Sequence, residues 1–112
     1  MAWRALRATT LLLAALALCG AGWPPDGKTL AERGDGARLP SCASCHGAHF
    51  QGNTPTGAPA LAGKDAAALM DELYTLASNP KDQAPMARIA RRLDMAERAA
   101  VTAWLSRLPP AR

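Results

Sequence analysis

Between Pro40 and Gly63 the chain carries four glycines, three prolines and no sustained apolar period. A stretch of that length with neither helix nor strand pattern is hard to hold in a small domain, because its peptide groups have no ladder to pair in. The sequence therefore predicts a long loop fixed by something other than its own hydrogen bonds. Within it stands Ser41-Cys42-Ala43-Ser44-Cys45-His46-Gly47.

The start of the chain reads as an address. Met1–Arg7 has two arginines and no acid, an apolar run follows over Leu11–Leu18, and Cys19-Gly20-Ala21-Gly22 are small. This is the plan of a secretory signal peptide. Ala8 to Gly22 spans 15 residues, short of the roughly 20 needed to cross a bilayer. Leu16-Ala17-Leu18-Cys19 also resembles a lipoprotein box, although Leu18 occupies the position where that pattern wants a small residue. Cleavage after Ala21 fits better, giving a leader over 1–21 and one domain over 22–112, with lipidation at Cys19 as the alternative. Either way the product is exported, and the periplasm is the expected compartment.

About 90 residues then remain, a size that usually needs a disulfide, a metal or a cofactor. With three Trp, one Tyr and one Phe in the whole chain, the side chains look too small to fill an interior alone. The formal charge of +4 loses two arginines with the leader, too weak a bias to argue for nucleic acid.

The rest reads as helical. Lys28–Arg33 is a short candidate stopped by Gly34-Asp35-Gly36. Asp65–Ala77 places Leu69, Leu73 and Leu76 on one stripe, and Asn79-Pro80 ends it. Pro85 opens a helix in which Met86, Ile89, Ala90 and Leu93 share a face. Asp94 and Glu97 form a capping box for a last helix with Val101, Trp104, Leu105 and Leu108 on one side, stopped by Pro109-Pro110. No strand signal and no internal repeat is present, so the fold class is all-α.

Cys42-Ala43-Ser44-Cys45-His46 has the Cys-x-x-Cys-His spacing of covalent haem attachment. Two thiols three positions apart can each add to one vinyl group of the porphyrin edge, and the next histidine is then placed under the iron. A thioredoxin-like pair would need a strand before it and a βαβ pattern. A structural disulfide leaves the adjacent histidine unexplained. Zinc held by Cys42, Cys45, His46 and His49 would crowd four ligands into eight residues. Haem c, one per chain, is the cofactor that fits motif, export and helical pattern together.

Cys42–Gly47, Leu30–Gly34, Pro59–Lys64 and a methionine opening a short helix before a capped terminal one resemble the small class I cytochromes c of bacteria. The resemblance runs from Gly27 to Pro109 and implies short helices wrapped around one covalently bound haem. It implies thioethers at Cys42 and Cys45, His46 as proximal iron ligand, and a Pro59 carbonyl accepting from the His46 ring. Leu61 is then expected against the porphyrin. Gly27 and Trp104 match the small residue and the aromatic that meet where the first and last helices cross. Met86 matches the family's distal ligand and follows the turn-rich Asn79–Pro85; packing with Ile89 and Leu93 is its alternative role. Met70 lies mid-helix and Met95 beside a cap. His49 is expected to be an exposed loop residue.

The implied activity is electron transfer with His/Met-ligated iron, by a carrier rather than an enzyme, between redox proteins that the sequence does not identify. A fixed cytochrome subunit of a periplasmic dehydrogenase or oxidase complex is the alternative, ahead of a haem-free thiol or zinc protein. Membrane attachment requires lipidation of Cys19 or a retained leader. Arg88, Arg91, Arg92 and Arg98 form a basic stretch open to three roles: a solvated face, a docking patch for an acidic partner, or a propionate contact.

Overall fold

The computed structural model describes residues 25–111, so the leader over 1–21 and Cys19 lie outside the described residues. Among the described residues five α-helices follow one another: α1 (Gly27–Arg33), α2 (Ala43–His46), α3 (Ala66–Ala77), α4 (Pro85–Arg92) and α5 (Met95–Ser106), with a 3-10 turn at Thr54–Thr56 between α2 and α3. No strand occurs among the described residues. One isolated antiparallel bridge pairs Asn53 with Ala58.

The helix starts are written in acids, which take N–H groups left free by the first turn. The Asp26 carboxylate accepts from Lys28 N at 3.1 Å and from Thr29 Oγ1 at 2.6 Å. Asp65 accepts from Ala68 N at 3.1 Å. At α5 the box is reciprocal: Glu97 N donates to Asp94 Oδ1 at 2.7 Å, and Asp94 N to Glu97 Oε1 at 3.0 Å. Pro85 opens α4 without a side-chain cap, its missing N–H being one the helix would leave unpaired anyway.

Helix α1 crosses α5 at backbone distance. A Cβ on Gly27 would lie 2.1 Å from the Ala100 carbonyl oxygen, so only glycine permits this approach. The predicted crossing of first and last helices is therefore present, but its closest point is Ala100, one turn before Trp104. The terminal helix also ends earlier than its apolar pattern suggests. Beyond Ser106 the chain tightens, with Arg107 N bonding Trp104 O and Leu108 N bonding Leu105 O. Leu108 thus packs on the core from outside the helix.

That core consists of Ala31, Phe50, Ala62, Leu69, Val101 and Leu105. Phe50 is its one large side chain that is fully enclosed among the described residues. Of the stripe expected on α3, Leu69 is buried while Leu73 and Leu76 are half-buried, and Leu61, Met86 and Ile89 are half-buried as well.

The Pro40–Gly63 segment departs from the predicted irregular loop. It contains α2, the 3-10 turn and the Asn53–Ala58 bridge, and its own backbone pairs much of it. A second staple holds the preceding turn. Arg38 Nη2 reaches Glu97 Oε2 at 2.7 Å, Arg38 Nη1 bonds the Arg92 carbonyl, and Arg92 Nη1 returns to the Arg38 carbonyl at 3.1 Å.

Candidate functional site

The Cys-x-x-Cys-His motif is a single helical turn. Cys42 O accepts from Cys45 N at 3.3 Å and from His46 N at 2.9 Å. Ser41 and Ser44 lock its start, Ser44 N donating to Ser41 Oγ at 3.0 Å and Ser44 Oγ to Ser41 O at 2.6 Å. A helical turn places residues three apart on one side, so both thiols share a face while His46 is carried inward. Cys42 and Cys45 are free, Cys42 half-buried and Cys45 exposed. Burial pushes the Cys42 thiol above its ordinary range.

His46 is 3% exposed. Its Nδ1 lies 2.7 Å from the Pro59 carbonyl oxygen. A carbonyl can only accept, so Nδ1 carries the proton and donates, leaving the Nε2 lone pair free for a metal. The Pro59 carbonyl is held in turn by the backbone around it. Gly52 N donates to His46 O at 2.8 Å, and Phe50 O accepts from both Leu61 N at 2.9 Å and Ala62 N at 3.1 Å. A Cβ on Gly52, whose φ is +87°, would come within 2.8 Å of Ala60 N. The motif turn and the Pro59–Ala62 segment are thereby fixed against each other.

Phe50 was not singled out in the sequence as a site residue. It has φ +56° and is the one described non-glycine residue with positive φ. A lone large apolar residue in a glycine-rich segment was the available signal.

Among the methionines, Met95 is 65% exposed, which removes it as an interior ligand. Met70 and Met86 are both half-buried, Met86 in the first turn of α4. His49 is exposed, its backbone N bonded to Gln51 Oε1 at 3.0 Å. Among the described residues no group of three or more His, Cys, Asp or Glu is arranged to hold a metal ion. The zinc alternative therefore lacks its cluster.

The basic stretch is mostly engaged with backbone. Arg91 bonds the Asn79 and Asp82 carbonyls, Arg92 the Arg38 carbonyl and Arg98 the Ala90 carbonyl at 2.8 Å. Arg88 is exposed.

The family model for cytochrome c matches residues 25–109. The chain belongs to the cytochrome c family. It is 37% identical over 70 residues to the thiosulfate dehydrogenase electron acceptor of Thiomonas intermedia, a match covering 62% of this chain and 32% of that protein. Among solved structures, a thiosulfate dehydrogenase from Marichromatium purpuratum superposes with a TM-score of 0.71 at 38% identity, over 76% of this chain and 18% of the other. This chain thus spans only a minor part of either relative.

As a cytochrome c domain, residues 25–109 carry covalent haem c and transfer electrons. The side chains suit that cofactor: two free thiols on one helical face, an imidazole with its Nε2 free, and half-covered apolar residues in a core that lacks bulk.

Proposed function

We propose that this chain is a periplasmic monohaem electron carrier, formed by residues 22–112 after removal of a leader over 1–21. Cys42 and Cys45 would hold the haem through thioethers, His46 Nε2 and the Met86 sulfur would ligate its iron, and Leu61 would pack against it. The bound haem supplies one-electron chemistry between ferrous and ferric iron. The protein's part would be to supply the iron ligands and, through Pro59, to orient the buried His46 imidazole.

The observation that carries this reading is the 2.7 Å contact from His46 Nδ1 to the Pro59 carbonyl. It fixes the tautomer and raises the basicity of the ligating nitrogen, the usual role of a partner behind a metal-bound histidine. With His46 and Met86 both ligating the iron there would be no open position for a substrate, which favours a carrier over an enzyme.

The relatives suggest the donor. One is named as the electron acceptor of thiosulfate dehydrogenase, and the other as a thiosulfate dehydrogenase. A dehydrogenase oxidising a reduced sulfur compound is the electron source we favour. The same likeness favours a second reading, a cytochrome subunit permanently joined to such an enzyme. Copurification with a larger partner distinguishes the two.

The test is a visible spectrum of protein expressed with the haem-attachment machinery and then extracted with acid–acetone. Colour staying with the polypeptide supports the thioethers, and a colourless product overturns the reading.

A further inference from the structure

Four arginines lie on or beside α4, and Arg91 is the one directed at the turn before it. In the last turn of α4, Arg91 Nη1 donates to the Asn79 carbonyl at 2.9 Å and Nη2 to the Asp82 carbonyl at 2.6 Å. Asn79 and Asp82 are the two ends of one tight turn, closed by Asp82 N on Asn79 O at 3.1 Å. The Asn79 side chain stiffens it by accepting from Lys81 N at 3.0 Å, and Asp82 Oδ1 accepts from Ala84 N at 2.9 Å. The chain then passes through Pro85 into Met86. Residues 82–91 therefore form a ring closed by the Arg91 guanidinium, and Met86 lies on its circumference.

We propose that Arg91 is a positioning residue for the distal ligand: by gripping both ends of the Asn79–Asp82 turn it holds Met86 in place and sets how easily another ligand displaces the Met86 sulfur. This rests on the assignment of Met86 as ligand. The guanidinium suits the task because its planar fork offers two parallel donors to two carbonyls, whereas a lysine ammonium is a point donor on a flexible stem. Releasing the turn raises the fraction of molecules with Met86 withdrawn, and an external ligand gains apparent affinity in proportion to that fraction.

The experiment titrates ferric holoprotein with imidazole, following the weak sulfur-to-iron absorption band in wild type, Arg91→Ala, Arg91→Lys, Arg88→Ala and Met86→Ala. Loss of two charge-assisted bonds on a half-exposed site predicts roughly tenfold tighter imidazole binding by Arg91→Ala. Arg91→Lys, which keeps the charge, falls between that variant and wild type. Arg88→Ala, which loses the same charge from the exposed side of the same helix, matches wild type. Should Arg91→Ala not yield holoprotein, Arg91→Lys decides: an affinity equal to wild type overturns the clamp. The clamp is also overturned if Arg91→Ala lowers thermal stability without changing imidazole affinity, or if Arg88→Ala shifts the affinity as far. A band that survives in Met86→Ala instead overturns the ligand assignment, and the clamp falls with it.

Discussion

Phe50 stands edge-on against Trp104, with ring centroids 5.4 Å apart and ring planes at 82°. The pair joins the terminal helix to the segment that follows His46. Phe50 N donates to Gly47 O at 3.0 Å, and its carbonyl takes the Leu61 and Ala62 N–H groups. Trp104 comes from α5, whose neighbouring turn is pressed against Gly27 of α1. Packing between the terminal helices is thus transmitted to the loop that places the Pro59 carbonyl on His46. The phenyl ring is 1% exposed, and its burial holds the backbone in a left-handed conformation that L side chains avoid.

Phe50→Ala is expected to cost about 3–5 kcal/mol, the loss of a large core side chain. Phe50→Gly loses the same ring but relieves the left-handed backbone, worth roughly 1 kcal/mol. Glycine should therefore be the less damaging of the two, the reverse of its usual rank. Guanidinium unfolding of both holoproteins decides it. Equal stabilities, or alanine ahead, would mean that position 50 is not held left-handed.

The parts of this fold legible in the sequence were those with a local period or a local chemical spacing. Asp94 and Glu97 announce a helix start three residues apart, Pro85 another, and Cys42-x-x-Cys45-His46 is the spacing that points to the family. The turn at Ala43–His46 and the one at Thr54–Thr56 were not legible, because helices of one turn have no period and depend on tertiary contacts. The bond from Arg38 to Glu97 and those from Arg91 to the Asn79 and Asp82 carbonyls were not legible either, because nothing in the local pattern of a charged side chain names a partner brought to it by the fold. Leu73 and Leu76 kept their stripe but are only half-buried, since a period gives the apolar face of a helix and not how much of it the rest of the chain covers.

Gly27 offers a test of the helix crossing. A methyl group there would meet the Ala100 carbonyl oxygen at 2.1 Å and Val101 N at 3.1 Å, both backbone atoms. Gly27→Ala must then push α1 off α5, at a cost of about 3 kcal/mol. Gly36→Ala is the control: nothing lies within 4 Å of its added carbon, and only its φ of +78° resists, worth roughly 1 kcal/mol. Thermal melts of the two holoproteins should differ clearly. Similar melting temperatures would show that the crossing is looser than backbone contact.

Asp35 makes stability depend on acid. Its Oδ1 accepts from Leu39 N at 2.7 Å, Arg38 N at 2.7 Å and Ala37 N at 3.1 Å. These bonds, that of Leu39 foremost, hold the carboxyl below its ordinary pKa. A depressed folded-state pKa contributes stability that is present above the unfolded value near ~3.9 and is lost as pH falls through the folded value. Asp35→Asn should therefore be less stable than wild type at pH ~7, with the gap closing below pH ~4. Denaturant unfolding at neutral and acid pH measures it. A gap that stays constant with pH would exclude Asp35 as the titrating group.

Met86→Ala separates ligand from packing residue. If Met86 only packs beside Ile89 and Leu93, its loss costs roughly 2–5 kcal/mol and leaves the iron spectrum unchanged. If its sulfur is the distal ligand, the sulfur-to-iron band disappears, the reduction potential drops, and carbon monoxide binds the reduced protein. Met95→Ala removes a side chain that is 65% exposed and should keep the band with little change in stability. Met70→Ala, half-buried on α3, should lose stability and keep the band. Loss of the band in Met70→Ala, with Met86→Ala retaining it, would move the distal ligand from α4 to α3. The turn held by Arg91 would then have no ligand to deliver.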